Sequence, residues 1–303
     1  MPNYIRGLLI WSSLYRQLQS VKMSFPVLVD GTANVSPNSF KINLSTTLDL
    51  NEFEVAVGQA FLYYSWYNIN AAPLNNNKFT LTIPTSGAST VNAIVIPDGA
   101  YQIDDLNNYL QYWFIQNGYY LTNNTSGLNT YYASFSISPT SYAVQFNTTP
   151  LPTSLPAGYT SGGMTFPASA NQHIQVTIAS TNNFKDIIGF SAGTYPTVPT
   201  NTGTKTKASD YAPNVNPVSS IQVRLSCVYN PMSSNSQLLH VFTNKGVKIG
   251  AIIDASPSYE QYVPCIGSHR EITLSFYDQS GYILNILDKN ILFKLVFRKK
   301  AVN

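Results

Sequence analysis

Residues 271–300 read EITLSFYDQSGYILNILDKNILFKLVFRKK, and their periodicity decides the fold class. Ile272, Leu274 and Phe276 alternate with Glu271, Thr273 and Ser275. Asp278-Gln279-Ser280-Gly281 then signals a turn. Beyond it Ile291, Phe293, Leu295 and Phe297 alternate with Leu292, Lys294, Val296 and Arg298. Successive side chains of a strand point to opposite faces, so a period of two gives each strand one apolar face. The second run is more apolar on both sides and stops at Arg298-Lys299-Lys300. A buried strand that comes last must pair with strands made much earlier, which implies long-range β architecture.

Working outward, the same pattern recurs at Phe40-Ile42-Leu44, Phe53-Val55-Val57 and Ile221-Val223-Leu225-Cys227. Leu238–Phe242, Val247–Ile253 and Tyr259–Val263 are shorter strand candidates. Together with the closing pair this makes eight strands, two before residue 68 and six after residue 217. The predicted fold is mainly β: a single antiparallel eight-stranded jelly roll with a large inserted small α+β domain. The last strand is expected to pair with the first. The predicted divisions are an N-terminal arm at 1–23, the opening segment of the jelly roll at 24–67, the insertion at 68–217 and the closing segment of the jelly roll at 218–303.

The middle block carries its own signals. Phe79-Leu81-Ile83 and 91–96 read as short strands, stopped by Pro84 and Pro97. Ile103, Leu106, Tyr109, Leu110, Trp113 and Phe114 fall at helical spacing, with Asp104 and Asp105 in the first turn, where carboxylates suit the helix dipole. Asn117-Gly118 ends that helix. Residues 134–138, 142–146 and 173–179 are further strand candidates, with a Pro/Gly/Ser-rich loop at 148–170. Phe184–Gly189 reads as one helical turn closed by glycine. Residues 191–217, rich in Thr, Pro, Asn and Gly, read as a long linker.

Composition bounds the function. The 303 residues are 44% hydrophobic but only 10% charged, with 21 Tyr. Amides and hydroxyls supply the polarity. Such a surface suits contact with other proteins, because Tyr is enriched and Lys and Glu are depleted at interfaces; Thr and Tyr are also simply good strand formers. The net charge of +3 is too small for a dedicated nucleic-acid-binding domain. Two cysteines, Cys227 and Cys265, make neither a disulfide scaffold nor a four-Cys zinc site, and reduced thiols are the expectation. No apolar run reaches the roughly 18 residues of a membrane span.

A search for chemistry gives no convincing centre. His173 and His240 lie in or beside strands and read as structural. Cys265 and His269 have a chelating spacing, but two ligands are not a metal site. Asp104 and Asp105 are adjacent on a helix and point apart. Asp254, Asp278 and Asp288 lie near turns, where Asp bonds its own backbone. The chain has no GxSxG, P-loop or HExxH motif. No catalytic residue, metal or cofactor is expected. Residues 1–23 mix Leu8, Leu9, Leu14 and Leu18 with Arg6, Arg16 and Lys22 and contain no acid. They read as an unordered end or as an arm that touches membrane, nucleic acid or a neighbouring subunit. With Arg298, Lys299 and Lys300 they are candidate contacts for a polyanion or for the inner face of an assembly. The aromatic block 61–67 supplies Tyr63, Tyr64 and Tyr67 as candidate subunit-interface residues, while Phe61, Leu62 and Trp66 read as core.

Five stretches occur together in one order: Tyr63–Ile69, Pro97–Leu106, Asn183–Phe190, Ser220–Cys227 and Phe276–Gly281. This order resembles the penton, or minor capsid, proteins of virophages and polinton-like viruses, over about residues 39–299. The resemblance implies a homopentamer at the five-fold vertices of an icosahedral capsid, between faces built from a double-jelly-roll major capsid protein. It implies a virion component assembled in the host cytoplasm, with no catalytic residues and with the insertion domain outward, available to a host receptor. The termini would face the interior, in weak contact with genome or membrane. Two other readings stand beside it. One is a secreted or virion-surface β-sandwich that binds a glycan or host receptor through the insertion. The other is an enzyme on a cupin-like jelly roll, which would need clustered metal-binding histidines that three scattered ones do not supply.

Overall fold

The computed structural model describes residues 24–244 and 246–300. The chain forms two compact units, one from residues up to Ser65 together with those from Ser219 on, the other from Trp66–Val218. It is mainly β, every strand pairing is antiparallel, and helices are few.

The first unit starts with β1 (Ser24–Asp30), β2 (Asn34–Ser36), β3 (Ser39–Asp49) and β4 (Phe53–Tyr63). The second unit contains β5 (Lys78–Ile83), β6 (Thr90–Val95), α1 (Ile103–Gln116), β7 (Leu121–Asn123), β8 (Asn129–Thr130), β9 (Ala133–Ile137), β10 (Val144–Thr148), β11 (Tyr159–Ser161), β12 (Gln175–Ile178), α2 (Phe184–Ile188), β13 (Gly193–Tyr195) and β14 (Lys205–Ala208). The first unit resumes with β15 (Ile221–Leu225), β16 (Leu238–Phe242), β17 (Ile252–Asp254), β18 (Val263–Pro264), β19 (Ser268–Asp278) and β20 (Leu292–Lys299).

Two sheets make the first unit. One has the order β1-β20-β4-β17, with β18 also on β4; the other runs β16-β15-β19-β3-β2. The closing strand β20 is therefore central, flanked on both sides by the start of the chain. Val27 lies opposite Leu295 across β1 and β20, and Val55 lies opposite Phe297 across β4 and β20. Phe293, Leu295 and Phe297 are fully buried, while Leu292, Lys294 and Val296 are not. On the facing sheet Phe40, Val223, Leu225, Ile272, Leu274 and Phe276 are buried in the same alternation. The Phe276 and Phe293 rings meet edge to face at 5.6 Å between centroids, so the two apolar faces form one core. Where β20 runs along β4 the register slips between Lys294 and Leu295, leaving Gly58 as the extra residue of a bulge. A Cβ there would stand 3.1 Å from Val296 Cγ2.

Two expectations change. The first partner of β20 is β1, not the Phe40–Leu44 strand, which lies in the opposite sheet. Pro26 hides β1 in the sequence, because proline is excluded from strand interiors; the strand is nevertheless allowed because it is an edge. The count of eight also differs, since β1 and the short β2 are added and the 247–253 and 259–263 candidates shrink to β17 and β18. The turn at 278–281 does not fold β19 and β20 into a hairpin. It is held locally, Asp278 Oδ1 accepting from Ser280 and Tyr282 backbone N–H at 2.9 Å each, and the chain then crosses to the other sheet.

In the second unit a sheet of order β13-β12-β5-β6 and a sheet of order β14-β10-β9 share one core with α1. Ile103, Leu106, Leu110 and Phe114 are the buried face of α1, and Tyr109 and Trp113 are partly covered. Asp105 accepts from the Gln102 backbone N–H at 2.8 Å, which explains the acidic first turn. Phe79 stacks on Phe184 at 5.0 Å and meets Phe135 edge-on at 5.8 Å, tying α2 to both sheets. Asn68 is buried and saturated: its amide donates to Tyr101 O and Val215 O, and its oxygen accepts from Tyr101 N–H. Residues 191–217 are not a plain linker, because β13 and β14 lie within them and pair with β12 and β10. Their Gly-Thr-Tyr and Lys-Thr-Lys-Ala sequences are too short and polar to show a strand period.

Replacing Phe293 or Leu295 by Ala should cost the first unit roughly 2–5 kcal/mol, as for other large-to-small core changes, whereas Lys294→Ala on the other face should stay within about 0.5 kcal/mol. Thermal and denaturant melts of the three variants check this.

Candidate functional site

The structure scatters the groups that chemistry would use. Among the described residues no three His, Cys, Asp or Glu side chains come together as a metal site. His173 is buried with Nε2 at 3.0 Å from Asn201 O. His269 Nε2 is 2.8 Å from Ile266 O, which turns its ring onto its own loop and away from ligand duty with Cys265. His240 Nε2 is 2.8 Å from Ala255 O, and its ring stacks against Phe242 at 6.1 Å. Burial holds the His240 imidazole below its ordinary value, against the opposing pull of the Ala255 carbonyl. Cys227 and Cys265 are free, fully buried thiols. A hydrogen bond to Cys265 and burial push the Cys227 thiol far up, so it is no nucleophile. Asp254, Asp278 and Asp288 each accept from backbone N–H groups two residues on, as turn residues do.

The basic C-terminal cluster is internally engaged. Arg298 Nε bonds Glu54 Oε1 at 2.6 Å, and its guanidinium lies 3.3 Å from the Tyr262 ring centroid. Lys299 reaches Glu52 at 3.6 Å. Lys300 Nζ donates to Asn51 O at 2.6 Å and to Cys265 O at 3.3 Å. Arg298 and Lys300 clamp the end of β20 to the 51–54 turn, while Lys299 stays exposed beside Glu52. Arg6, Arg16 and Lys22 lie outside the described residues.

The aromatic block divides likewise. Leu62 and Trp66 are buried, as expected of core, and Phe61 is half-buried. Tyr64 is also buried, only 3% exposed, which removes it as an interface residue. The strand alternation that buries Leu62 buries its neighbour two places on. Tyr63 is half-buried at the end of β4, and Tyr67 is exposed.

Some exposed apolar side chains of the first unit lie on its edge strands, and others, such as Met232, Tyr282 and Ile283, lie in its loops. β1 and β2 are the outer strands of their sheets at one edge and carry the exposed Leu28 and Val35. β16 and β17 are the outer strands at the other edge. They carry Val241 and Ile252, and Tyr259 is exposed in the loop that follows β17. Single scattered apolar residues mean little, but these sit on unpaired strand edges, where backbone N–H and C=O groups are open to another chain. A strand edge has no sequence signature of its own, so periodicity could not find these surfaces.

Stability should fall as pH drops below the ordinary histidine value of 6.5, because the unfolded chain binds a proton at His240 more tightly than the folded one and protonation therefore favours unfolding. Above that value the contribution is complete. Denaturant melts from pH 8 to 5 check the slope, and His240→Gln should flatten it. Both thiols should also stay silent to a thiol reagent at pH 8 until the protein is unfolded.

No protein-family model matches the chain, and no curated protein matches it. Among solved structures the chain is similar to the mavirus penton protein, at 15% identity and a TM-score of 0.45 over 92% of this chain and 99% of that one. It is also similar to a chain in the structure of the Sputnik virophage, at 14% identity and a TM-score of 0.39 over 92% of this chain and 98% of that one.

Proposed function

We propose that the chain is a structural capsid protein, the subunit of a homopentameric penton at the five-fold vertices of an icosahedral virion. The strand order of the first unit carries this reading. β17 and β18 both pair with β4 and share one place, so one sheet has four positions, β1-β20-β4-β17/18. The other, setting aside the short β2, also has four, β16-β15-β19-β3. The chain crosses from sheet to sheet between β1 and β3, β3 and β4, β4 and β15, β16 and β17, β18 and β19, and β19 and β20. Eight antiparallel positions connected in this way support the reading of a jelly roll. On this reading the second unit is an insertion between the third and fourth strands of that roll, after β4 and before β15.

Assembly is the mechanism. A cyclic ring needs two different, complementary patches on each subunit. The β1/β2 edge and the β16/β17 edge are two such patches, each apolar and each poor in charge. Tyr63 and Tyr67 stay as candidate contacts at the interface, and a double-jelly-roll major capsid protein is the expected neighbour of the ring. The insertion domain faces outward, where it meets the host. Contact of the termini with genome or membrane would fall to residues 1–23.

Light scattering behind size exclusion tests the ring. The full-length protein should run near five times the 33.4 kDa of one chain. Val241→Arg and Tyr259→Arg should reduce it to monomers that melt within about 0.5 kcal/mol of the parent, since exposed sites contribute little to subunit stability. A stable trimer would overturn the ring.

A further inference from the structure

We propose that a cleft inside the second unit binds the terminal residue of an acidic glycan, a carboxylated monosaccharide. The cleft lies between the edge strand β14 and the end of β13 and holds about 360 Å³, the small end of the range for ligand sites. One face is the ladder of β10 and β14, where Thr148 lies opposite Lys205 and Phe146 opposite Lys207. The other is Tyr195, Pro196 and the exposed Val198.

Three observations define the ligand. The first is charge. Residues 66–218 contain four lysines and no arginine, and two of the four, Lys205 and Lys207, stand two apart on one face of β14 in this cleft. Lys207 is paired with Asp210 and sits 5.1 Å from the Tyr195 ring centroid. Lys205 is half-buried, and among the described residues no carboxylate pairs with it. One net positive charge beside an aspartate suits a monoanion; a dianionic phosphate would be repelled by Asp210. The second is an orphan hydroxyl. Thr148 is 1% exposed, and its Oγ1 has no hydrogen-bond partner, a loss of the order of 1–3 kcal/mol for a buried polar group. It is the cross-strand neighbour of Lys205, so cation and hydroxyl belong to one spot. The third is shape. Tyr195 and Pro196 give a flat apolar wall on which a sugar ring can lie, and Thr197 adds an exposed hydroxyl. A carboxylate on Lys205, ring hydroxyls toward the threonines and the ring face on the wall satisfy all three.

The inference concerns the insertion alone and holds whatever the oligomeric state. The test titrates the full-length protein with N-acetylneuraminic acid, glucuronic acid, neutral N-acetylglucosamine and N-acetylglutamate, followed by saturation-transfer NMR. The expected result is saturable binding of one or both acidic sugars, at least about tenfold tighter than the neutral sugar or the amino acid, and weakened by salt. Lys205→Met should weaken it about tenfold or more with an unchanged melt, and Lys78→Met, on another strand, should not. Thr148→Val should weaken binding while leaving the protein as stable or more so, since it removes an unpaired buried hydroxyl. No saturable binding of either acid, equal binding of the neutral sugar or of N-acetylglutamate, or binding indifferent to Lys205→Met would overturn it. A pentamer that binds no acidic sugar would refute the cleft and leave the ring standing.

Discussion

Everything in the first unit depends on the burial of β20 between β1 and β4. β20 is the last of the described strands, yet it lies in the middle of its sheet, with Phe293, Leu295 and Phe297 at the centre of the core. β1 joins the sheet through β20 alone, whereas β4 also pairs with β17 and β18. The unit therefore cannot close until β20 has been made, and its defining contacts span well over two hundred residues. Loop-closure entropy makes such long-range pairing slow to form. The Arg298–Glu54 pair and the Lys300 contacts with Asn51 and Cys265 pin the end of that strand once it is in place. Their charge is engaged within the subunit.

A closed core leaves open edges. In a two-sheet sandwich the outer strands have one side unpaired; here Pro26 in β1 and the shortness of β2 and β17 blunt them, but few charges do. Leu28, Val35, Val241 and Ile252 are exposed there, and the chain is only 10% charged. Proteins that must stay apart place charge on such edges. The scarcity of charge here agrees with a subunit whose edges are meant to be covered, and with the lack of a clustered catalytic or metal-binding set among the described residues.

The features of this structure that were legible in the sequence are those governed by a local period. The alternations at 271–276 and 291–297, the helix at 103–116 and the glycine-capped turn at 184–189 are all present, because one buried face imposes a repeat on the sequence. What was hidden depends on partners. β1 contains Pro26 and reads as broken, but an edge strand tolerates it. β14 is Lys-Thr-Lys-Ala and reads as linker, but β10 supplies the ladder that makes it a strand and turns both lysines into a cleft. Tyr64 looked like a surface tyrosine because composition favours tyrosine at interfaces; it continues the alternation just past the end of β4 and is buried. The edges and the cleft are products of tertiary pairing, and a single sequence carries no period for either.

Hydrogen exchange by mass spectrometry, measured on the purified protein across its concentration range, tests the account most directly. β20 should exchange among the slowest segments of the first unit at every concentration, because both its sides are paired and its inner face is buried. β1, β2, β16 and β17 should exchange faster in the dilute protein and gain protection as the oligomer forms. Edge strands that exchange identically whether or not the protein is assembled, or a β20 as open as the edges, would contradict it.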